Sequence, residues 1–253
     1  MAVSENPNCW FPADWISESF PGQFRNWFYS LLTMSTVLEG QEPFKAIFGY
    51  ATMRDENGEL DINELVEITP EMIYPGSGVI SYLEGPVKLT ILDIAILMII
   101  VSDNTSTNLC IDYAGIEPTN DMLRALGVDN ITLRRKMQDT DSVVANRENV
   151  GTPDDCVLLL EHLYNGRPSK KSAERCLSVL RKTKKSLLNR VIPPEVTLAN
   201  KPGGMARVRC DAGIVYLDRY PYAVSIQTSF SEIGPEEQEN FIVELGLMIH
   251  SVM

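Results

Sequence analysis

The sequence has few of the residues on which triad, metal and disulfide chemistry depends. Only two histidines occur, His162 and His250, and both fall in predicted amphipathic helices, so a Ser-His-Asp triad is nearly excluded. The five cysteines are scattered, without a CxxC or CxxH spacing, which argues against a zinc site and against a disulfide framework. The sequence therefore implies no metal and no cofactor.

Positive charge and long apolar runs are also scarce. The chain has 22 Lys and Arg against 34 Asp and Glu, and a net charge of −12 argues against nucleic acid or an anionic membrane as the main partner. The first ten residues have neither the cationic nor the apolar segment of a signal peptide, which predicts a cytoplasmic protein. The longest apolar run, residues 89–101, contains Asp93 and predicts a buried helix too short to cross a bilayer.

What the sequence does contain is enough apolar material for a sizeable core. Of its 253 residues, 44% are hydrophobic and 22% are charged, which is typical of an ordinary globular protein.

Thr152 is a candidate N-cap, and Pro153 suits the first position of a helix. The predicted elements are a strand within 26–37, helices at 43–57, 89–101, 117–126, 152–163 and 172–182, strands at 207–217 and 222–230, and a closing helix at 235–252.

This order of elements predicts the α+β class. The simplest architecture pairs the two ends of the chain in one antiparallel sheet, flanked by terminal helices, and makes the helical middle a second lobe. Residues 1–41 and 195–253 would then form the sheet lobe, and residues 42–194 would form the helical lobe. The active-site crevice is expected between the two lobes.

One segment carries the strongest functional signal. Residues 76–112 read GSGVISYLEGPVKLTILDIAILMIIVSDNTSTNLCID, and Ser102-Asp103-Asn104 within them follows the predicted buried helix. This segment resembles the S-D-N region of class A β-lactamases and the related penicillin-recognising serine hydrolases. The resemblance covers residues 40–253 and implies the β-lactamase/transpeptidase-like fold. Further landmarks in the same order are the turn at 57–62, an Ω-loop end at 147–153, a K-T-G position at 201–203 and a strand at 211–215.

The S-x-x-K motif of this family is altered here. Counting back from Asn57-Gly58 places the motif lysine at Lys45 and the nucleophile position at Glu42, so the nucleophilic serine is missing. Ser35 is the alternative nucleophile, but it would put Leu38 at the lysine position. We therefore prefer Glu42 at the nucleophile position.

Two further positions depart from the family pattern. Pro202 stands in the K-T-G motif where Thr or Ser is usual, which removes a hydroxyl and a backbone N–H. The Ω-loop is shorter than in efficient β-lactamases, and its general-base glutamate has no clear match. Glu148 is the nearest candidate for that glutamate.

The resemblance implies a charged pocket made of the residues that survive. Glu42 and Lys45 are expected to act as an acid/base pair, because residues at i and i+3 share one helical face. Ser102 would be a proton shuttle, and the oxyanion hole would use the backbone N–H groups of Glu42 and Gly204. The expected substrate-binding residues are Asn104, Lys201, Gly203, Gly204 and Tyr74, the last of which is equally well read as a core residue.

These features predict an enzyme that acts on a small amide-, lactam- or ester-containing molecule, in specialised metabolism, by noncovalent acid/base chemistry. Two alternatives stay open. One is a conventional serine hydrolase whose nucleophile is Ser35 or Ser102, and the other is a pseudoenzyme that binds a ligand without turning it over.

The expected partner is a small molecule, with no nucleic acid and no membrane. The sequence does not give the oligomeric state, and the aromatic residues within 9–31 suit a homodimer contact or a lid over the crevice.

Overall fold

The computed structural model describes residues 16–18, 47–49, 61–182, 184–205 and 207–253. The chain divides into two compact units, residues 1–62 and 63–253. In the first unit, strands β1 (Ile16–Glu18) and β2 (Ile47–Gly49) pair in parallel. The predicted strand within 26–37, and with it Ser35, lies outside the described residues.

The predicted helix at 43–57 is wrong in part, because residues 47–49 form strand β2. Residues 47–49 are extended and pair with β1, with Ile16 opposite Ile47. An Ile-Phe pair favours extended backbone, and the partner strand supplies the hydrogen bonds that a helix would otherwise provide. Glu42 and Lys45 lie outside the described residues, so their place on one helical face stays a prediction.

The second unit is an α+β arrangement, as predicted. Strands β3 (Leu65–Ile68) and β4 (Val87–Thr90) form an antiparallel pair, and β5 (Thr197–Met205), β6 (Val208–Tyr216) and β7 (Tyr222–Thr228) form an antiparallel sheet in that order. The α-helices are α1 (Ile91–Ile100), α2 (Asn104–Ala114), α3 (Ile116–Ala125), α4 (Thr140–Val144), α5 (Pro153–Tyr164), α6 (Lys170–Leu180) and α7 (Pro235–Val252). Short 3-10 helices lie at Pro70–Met72, Ile80–Tyr82 and Leu188–Arg190.

Helix ends in this unit follow the capping chemistry of the sequence. The Thr152 side chain accepts a hydrogen bond from the Asp155 N–H, and Pro153 is the first residue of α5, as predicted. Helix α1 begins later than predicted, at Ile91, because the preceding residues belong to β4 and Thr90 forms a capping box with Asp93. Among the described helices, none is long and apolar enough to cross a membrane.

The three-stranded sheet is buried on both faces, and this determines where Lys201 lies. One face packs on α7 through a cluster that includes Leu188, Val224 and Ile242. The other face packs on α5 and α6, where Leu160 and Leu177 contact Ala199 and Ile214. Because side chains alternate along a strand, Lys201 lies on the same face as Ala199, toward the helices.

Burial of the Cys110 thiol on α2 gives a stability prediction. Burial raises the pKa of Cys110 from its ordinary 9.0 to about 11. The thiol of the unfolded chain ionises at lower pH than that of the folded protein. The contribution of Cys110 to the free energy of unfolding is therefore intact below pH 9 and falls by about 2–3 kcal/mol as pH rises to about 11. Cys110→Ala should therefore flatten the fall in urea-unfolding free energy over this window. An unchanged slope would contradict the assignment. Burial also raises the pKa of Cys176, so Cys176→Ala should flatten the fall in the same direction but by less than Cys110→Ala does.

Candidate active site

The Ser102-Asp103-Asn104 turn joins α1 to α2 and is held in place by the carboxylate of Asp103. Asp103 is 1% exposed, and its Oδ2 accepts hydrogen bonds from the N–H groups of Val79 at 2.7 Å and Ile80 at 2.9 Å. Its Oδ1 accepts from the Ser106 N–H at 2.9 Å and so caps α2. Asp103 is therefore a structural anchor for the turn.

The glycines of the 76–78 turn allow this close approach. Gly76 has φ +104° and Gly78 has φ +113°, which side chains rarely adopt. A Cβ atom on Gly78 would lie 2.1 Å from the Asp103 Oδ2 atom. The turn also holds Asn104, whose backbone N–H donates to the Ser77 carbonyl at 2.9 Å and whose Nδ2 donates to the Pro75 carbonyl at 2.8 Å.

Ser102 and Lys201 meet although they are 99 residues apart in the chain. The Lys201 Nζ donates to the Ser102 Oγ at 2.5 Å and to the Pro202 carbonyl at 2.6 Å. Burial lowers the pKa of Lys201, and the nearby Cys210 and Asp211 oppose that shift. Ser102 has φ +51°, a left-handed conformation that is uncommon for a non-glycine residue and that concentrates at functional sites.

The strand that carries Lys201, β5, is one of the two outer strands of the described three-stranded sheet. Proline is tolerated in a sheet at such an edge, which explains how Pro202 fits into β5. Gly203 is required for packing, because a Cβ there would lie 2.7 Å from the Cys210 Sγ. A Cβ on Gly204 would lie 3.2 Å from the Arg209 side chain. The strand can therefore present its backbone closely to a bound molecule.

A crevice of about 840 Å³ opens over these groups. Its floor combines the Ser102–Lys201 pair with apolar side chains from α1 and from the loop before α4. The described lining residues are Ser77, Met98, Ile99, Ser102, Asn104, Thr107, Arg135, Met137, Gln138, Thr140, Val143, Lys201, Pro202, Gly203, Gly204 and Met205.

The loop between α3 and α5 is fixed by an ion pair. Arg135, whose side chain is 12% exposed, donates from Nε at 2.8 Å and from Nη2 at 2.6 Å to the Glu148 Oε2. Asn149 accepts from the N–H groups of Arg134 and Arg135 through its side-chain oxygen. The carboxylate that the sequence offered as the nearest match for a general base is therefore engaged with Arg135.

Sequence reasoning missed Gln138, which lies on the same loop. It has φ +62° and lines the crevice beside Asn104: from a Cβ built on Gly76, the Asn104 Nδ2 would be 2.7 Å away and the Gln138 Nε2 3.0 Å. Asn108 holds the adjacent residue by accepting from the Met137 N–H at 2.7 Å and donating to its carbonyl at 3.1 Å. No local signal in the sequence marks Gln138, because its conformation depends on these distant contacts.

The structure brings together five of the predicted site residues: Ser102, Asn104, Lys201, Gly203 and Gly204 all line the crevice. The Tyr74 backbone N–H donates to the Thr105 Oγ1 at 2.9 Å, and a role for its ring as a wall of the site stays a prediction. Within the described ranges, no group of three His, Cys, Asp or Glu residues could hold a metal ion.

An S-D-N turn with a buried aspartate, which faces a lysine on an edge strand within this α+β arrangement, defines a serine-hydrolase fold of the β-lactamase type. The family model described as "Beta-lactamase enzyme family" matches residues 18–253, and the chain belongs to this family.

Solved structures agree with this assignment. A β-lactamase from Sphaerobacter thermophilus DSM 20745 is 28% identical with a TM-score of 0.68, over 78% of this chain and 77% of that one. A point mutant of PBP-A, solved as an acyl-enzyme complex with penicillin G, is 25% identical with a TM-score of 0.68, over 78% of this chain and 74% of that one. The fold predicted from the S-D-N segment is thus confirmed.

A curated protein also matches, but only locally. Isoleucine--tRNA ligase of Bacillus thuringiensis (strain Al Hakam) is 43% identical over 49 residues, which are 19% of this chain and 5% of that protein. A match of this extent carries no functional argument.

Proposed function

We propose that this protein is an enzyme that binds a small molecule with a carboxylate and an amide, lactam or ester group in the crevice. The observation that supports this most directly is the hydrogen bond of 2.5 Å between the Lys201 Nζ and the Ser102 Oγ. A part-buried cation attracts a carboxylate more strongly than an exposed one, because the surrounding dielectric is lower. The apolar side chains of the crevice would cover the rest of the molecule.

Ser102 would act as a proton shuttle. Because the Lys201 ammonium donates to its oxygen, negative charge that develops on this oxygen is stabilised, and the hydroxyl proton is free to be donated to a ligand. The Asn104 amide would bind the amide of the substrate, and the Gly204 N–H would polarise its carbonyl. Asn104 is on α2, and Lys201 and Gly204 are on β5, which suits a preorganised site.

Glu42 and Lys45 complete the proposal as an acid/base pair. A carboxylate at the position of the nucleophile suggests chemistry without an acyl-serine, in which Glu42 removes a proton or activates water. A role in specialised metabolism in the cytoplasm belongs to the same proposal. Replacing Glu42 by Gln or Lys45 by Ala should lower turnover of a substrate by about 10²–10⁴-fold, the usual contribution of such groups.

The first experiment is intact-protein mass spectrometry after incubation with penicillin G and with a fluorophosphonate, alongside nitrocefin turnover. The noncovalent enzyme should form no stoichiometric adduct. A screen of small amides, lactams and esters should then give a substrate whose turnover falls in Glu42→Gln and Lys45→Ala. An adduct on a serine would overturn the noncovalent mechanism, and unchanged turnover in both variants would remove the two residues from it.

A second candidate is a serine hydrolase with Ser102 as nucleophile. Two observations favour it: the left-handed backbone of Ser102, and its short hydrogen bond to Lys201, whose pKa is lowered by burial. A lysine with a lowered pKa can accept a proton from a serine, as in Ser-Lys hydrolases. Labelling should then disappear in Ser102→Ala and persist in Ser35→Ala. Loss of labelling in Ser35→Ala alone would instead identify Ser35.

A further inference from the structure

Positive charge is concentrated in one segment of this acidic protein. Residues 167–190 contain nine Lys and Arg and one Glu, within a chain of net charge −12. The segment includes α6 and the loop that leads to β5. Most of its cations are exposed, as is usual for a solvated basic face, but one of them is buried in a cavity.

This cavity has a volume of about 260 Å³ and lies beside the end of α6, on the segment that leads into β5. It is separate from the crevice, because the described residues that line the two cavities have no member in common. Three cations, Arg181, Lys182 and Lys184, line it together with the side-chain amides Asn189 and Asn200. Among the described lining residues there is no Asp or Glu.

Lys184 is the buried cation, at 7% exposure. Its Nζ donates to two neutral oxygens, the Leu180 carbonyl at 2.6 Å and the Asn200 Oδ1 at 3.4 Å. In the described part of the chain, no carboxylate lies within ion-pair distance of it. Burying a cation without a direct counter-ion is costly, and burial accordingly lowers the pKa of Lys184.

The neighbouring carboxylate, Asp211, is already occupied. It is fully buried and accepts from the N–H groups of Leu187 and Leu188, both at 2.9 Å, and from the Asn200 Nδ2 at 2.8 Å. Asn200 thus separates the two buried charges. The charge of Asp211 raises the pKa of Lys184 and so partly opposes the effect of burial, but Asp211 forms no direct ion pair with Lys184. An anion in the cavity would give Lys184 such a direct partner.

The other two cations are placed to complete such a site. The Arg181 guanidinium lies 4.7 Å from the centre of the Tyr216 ring, and its Nη2 donates to the Tyr216 hydroxyl at 2.9 Å, which fixes its orientation. An oriented guanidinium suits the oxygens of a phosphate group. Lys182 is exposed at the cavity and adds a mobile cation.

We propose that this cavity is a binding site for a small phosphate-type dianion, either free phosphate or the phosphate group of a small metabolite. The Asn200 amide is already engaged, because its Nδ2 donates to Ser186 and Asp211. Three cations with no lining carboxylate match a dianion better than a monocarboxylate, because charge-assisted hydrogen bonds are the strongest that such groups form. The cavity volume suits a ligand of this size rather than a polymer. The site does not depend on the function proposed for the crevice.

The test is the effect of inorganic phosphate on Tm, with chloride and acetate at equal ionic strength as references, and calorimetric titration with phosphate. A ligand that binds the folded state alone raises Tm as its concentration exceeds Kd. Phosphate should raise Tm and titrate with a stoichiometry of one. Lys182→Ala should weaken binding by about 10-fold, as expected when one charge-assisted contact is lost.

Lys184→Met is the sharper variant. Because it replaces a buried unpaired cation with an apolar chain, it should keep or raise Tm without phosphate and abolish the phosphate effect. The matched control is Lys170→Ala, which removes one charge from the same basic segment outside the cavity and should bind phosphate as the wild type does. Lys201→Met, which removes the cation that lines the crevice, should still bind phosphate, and this separates the site from the crevice.

Several results would overturn the proposal: no phosphate-specific rise in Tm, an equal rise with acetate, or an equal loss of binding in Lys170→Ala and Lys182→Ala. If Lys184→Met does not fold, the comparison of Lys182→Ala with Lys170→Ala decides alone. Tighter binding of glycerol phosphate than of inorganic phosphate would assign the site to a phosphorylated metabolite, and the reverse order would assign it to free phosphate.

Discussion

Replacing Asp103 by alanine is expected to lower the free energy of unfolding by about 3–5 kcal/mol. Three backbone N–H groups, those of Val79, Ile80 and Ser106, would lose their acceptor, and the first two bind the same oxygen. Each buried donor left without a partner costs about 1–3 kcal/mol, and part of this is recovered if water enters. Urea unfolding, followed by circular dichroism, measures the change.

The matched control is Asp93→Ala. Asp93 is also an aspartate in the first turn of a helix, and it forms the capping box of α1 with Thr90, but its side chain is exposed. Its loss should cost about 1 kcal/mol, the usual value for a cap. Equal losses in the two variants would show that the buried turn does not depend on Asp103.

Replacing Lys201 by methionine is expected to weaken binding of a carboxylate ligand in the crevice by about 100-fold. The expected loss follows from removing the cationic partner of a desolvated charge pair, which costs about 2–5 kcal/mol. Methyl esters of the same ligands should be affected much less, because they lack the negative charge. Titration of acid and ester with both proteins measures the difference, and an equal loss for both would exclude a carboxylate contact.

Lys201→Met should also change how the free energy of unfolding depends on pH. Since burial lowers the pKa of Lys201, the folded state disfavours its charged form, and this cost is fully present below the folded-state pKa. Wild-type stability should therefore rise, relative to Lys201→Met, as pH increases from the folded-state pKa towards 10.5. Urea unfolding of both proteins across this window measures the difference, and a pH-independent difference would contradict the assignment.

Sequence reasoning succeeded where structure depends on local chemistry. Thr152 and Pro153 predict the start of a helix, and α5 begins there. The apolar pattern of 235–252 predicts a helix with one buried face, and α7 covers these residues. The S-D-N segment was informative for another reason: it combines an apolar helix, a capping aspartate and a glycine turn in one short stretch. The family match then confirmed the fold.

The features that sequence reasoning missed depend on contacts between distant residues. The left-handed Gln138 is held by a loop whose anchors, Asn108 and the Arg135–Glu148 pair, lie up to 30 residues away. The ion pair that engages Glu148 has no periodic or local signature. His162, which falls in a predicted amphipathic helix, contacts the Leu126 carbonyl through its Nε2 at 2.8 Å, a contact that no helical pattern predicts.

The proline in β5 affects self-association of this protein. In the described part of the chain, β5 pairs with β6 alone, so its second edge carries backbone groups that another strand could bind. Pro202 interrupts the donors of β5, and charged or proline-containing edges are a common protection against edge-to-edge pairing. Pro202 can therefore help to keep concentrated solutions of the protein free of β-aggregates. A substitution that restores the hydroxyl-bearing residue of the family at this position would also restore a hydrogen-bond donor to the strand, and with it a route to self-association.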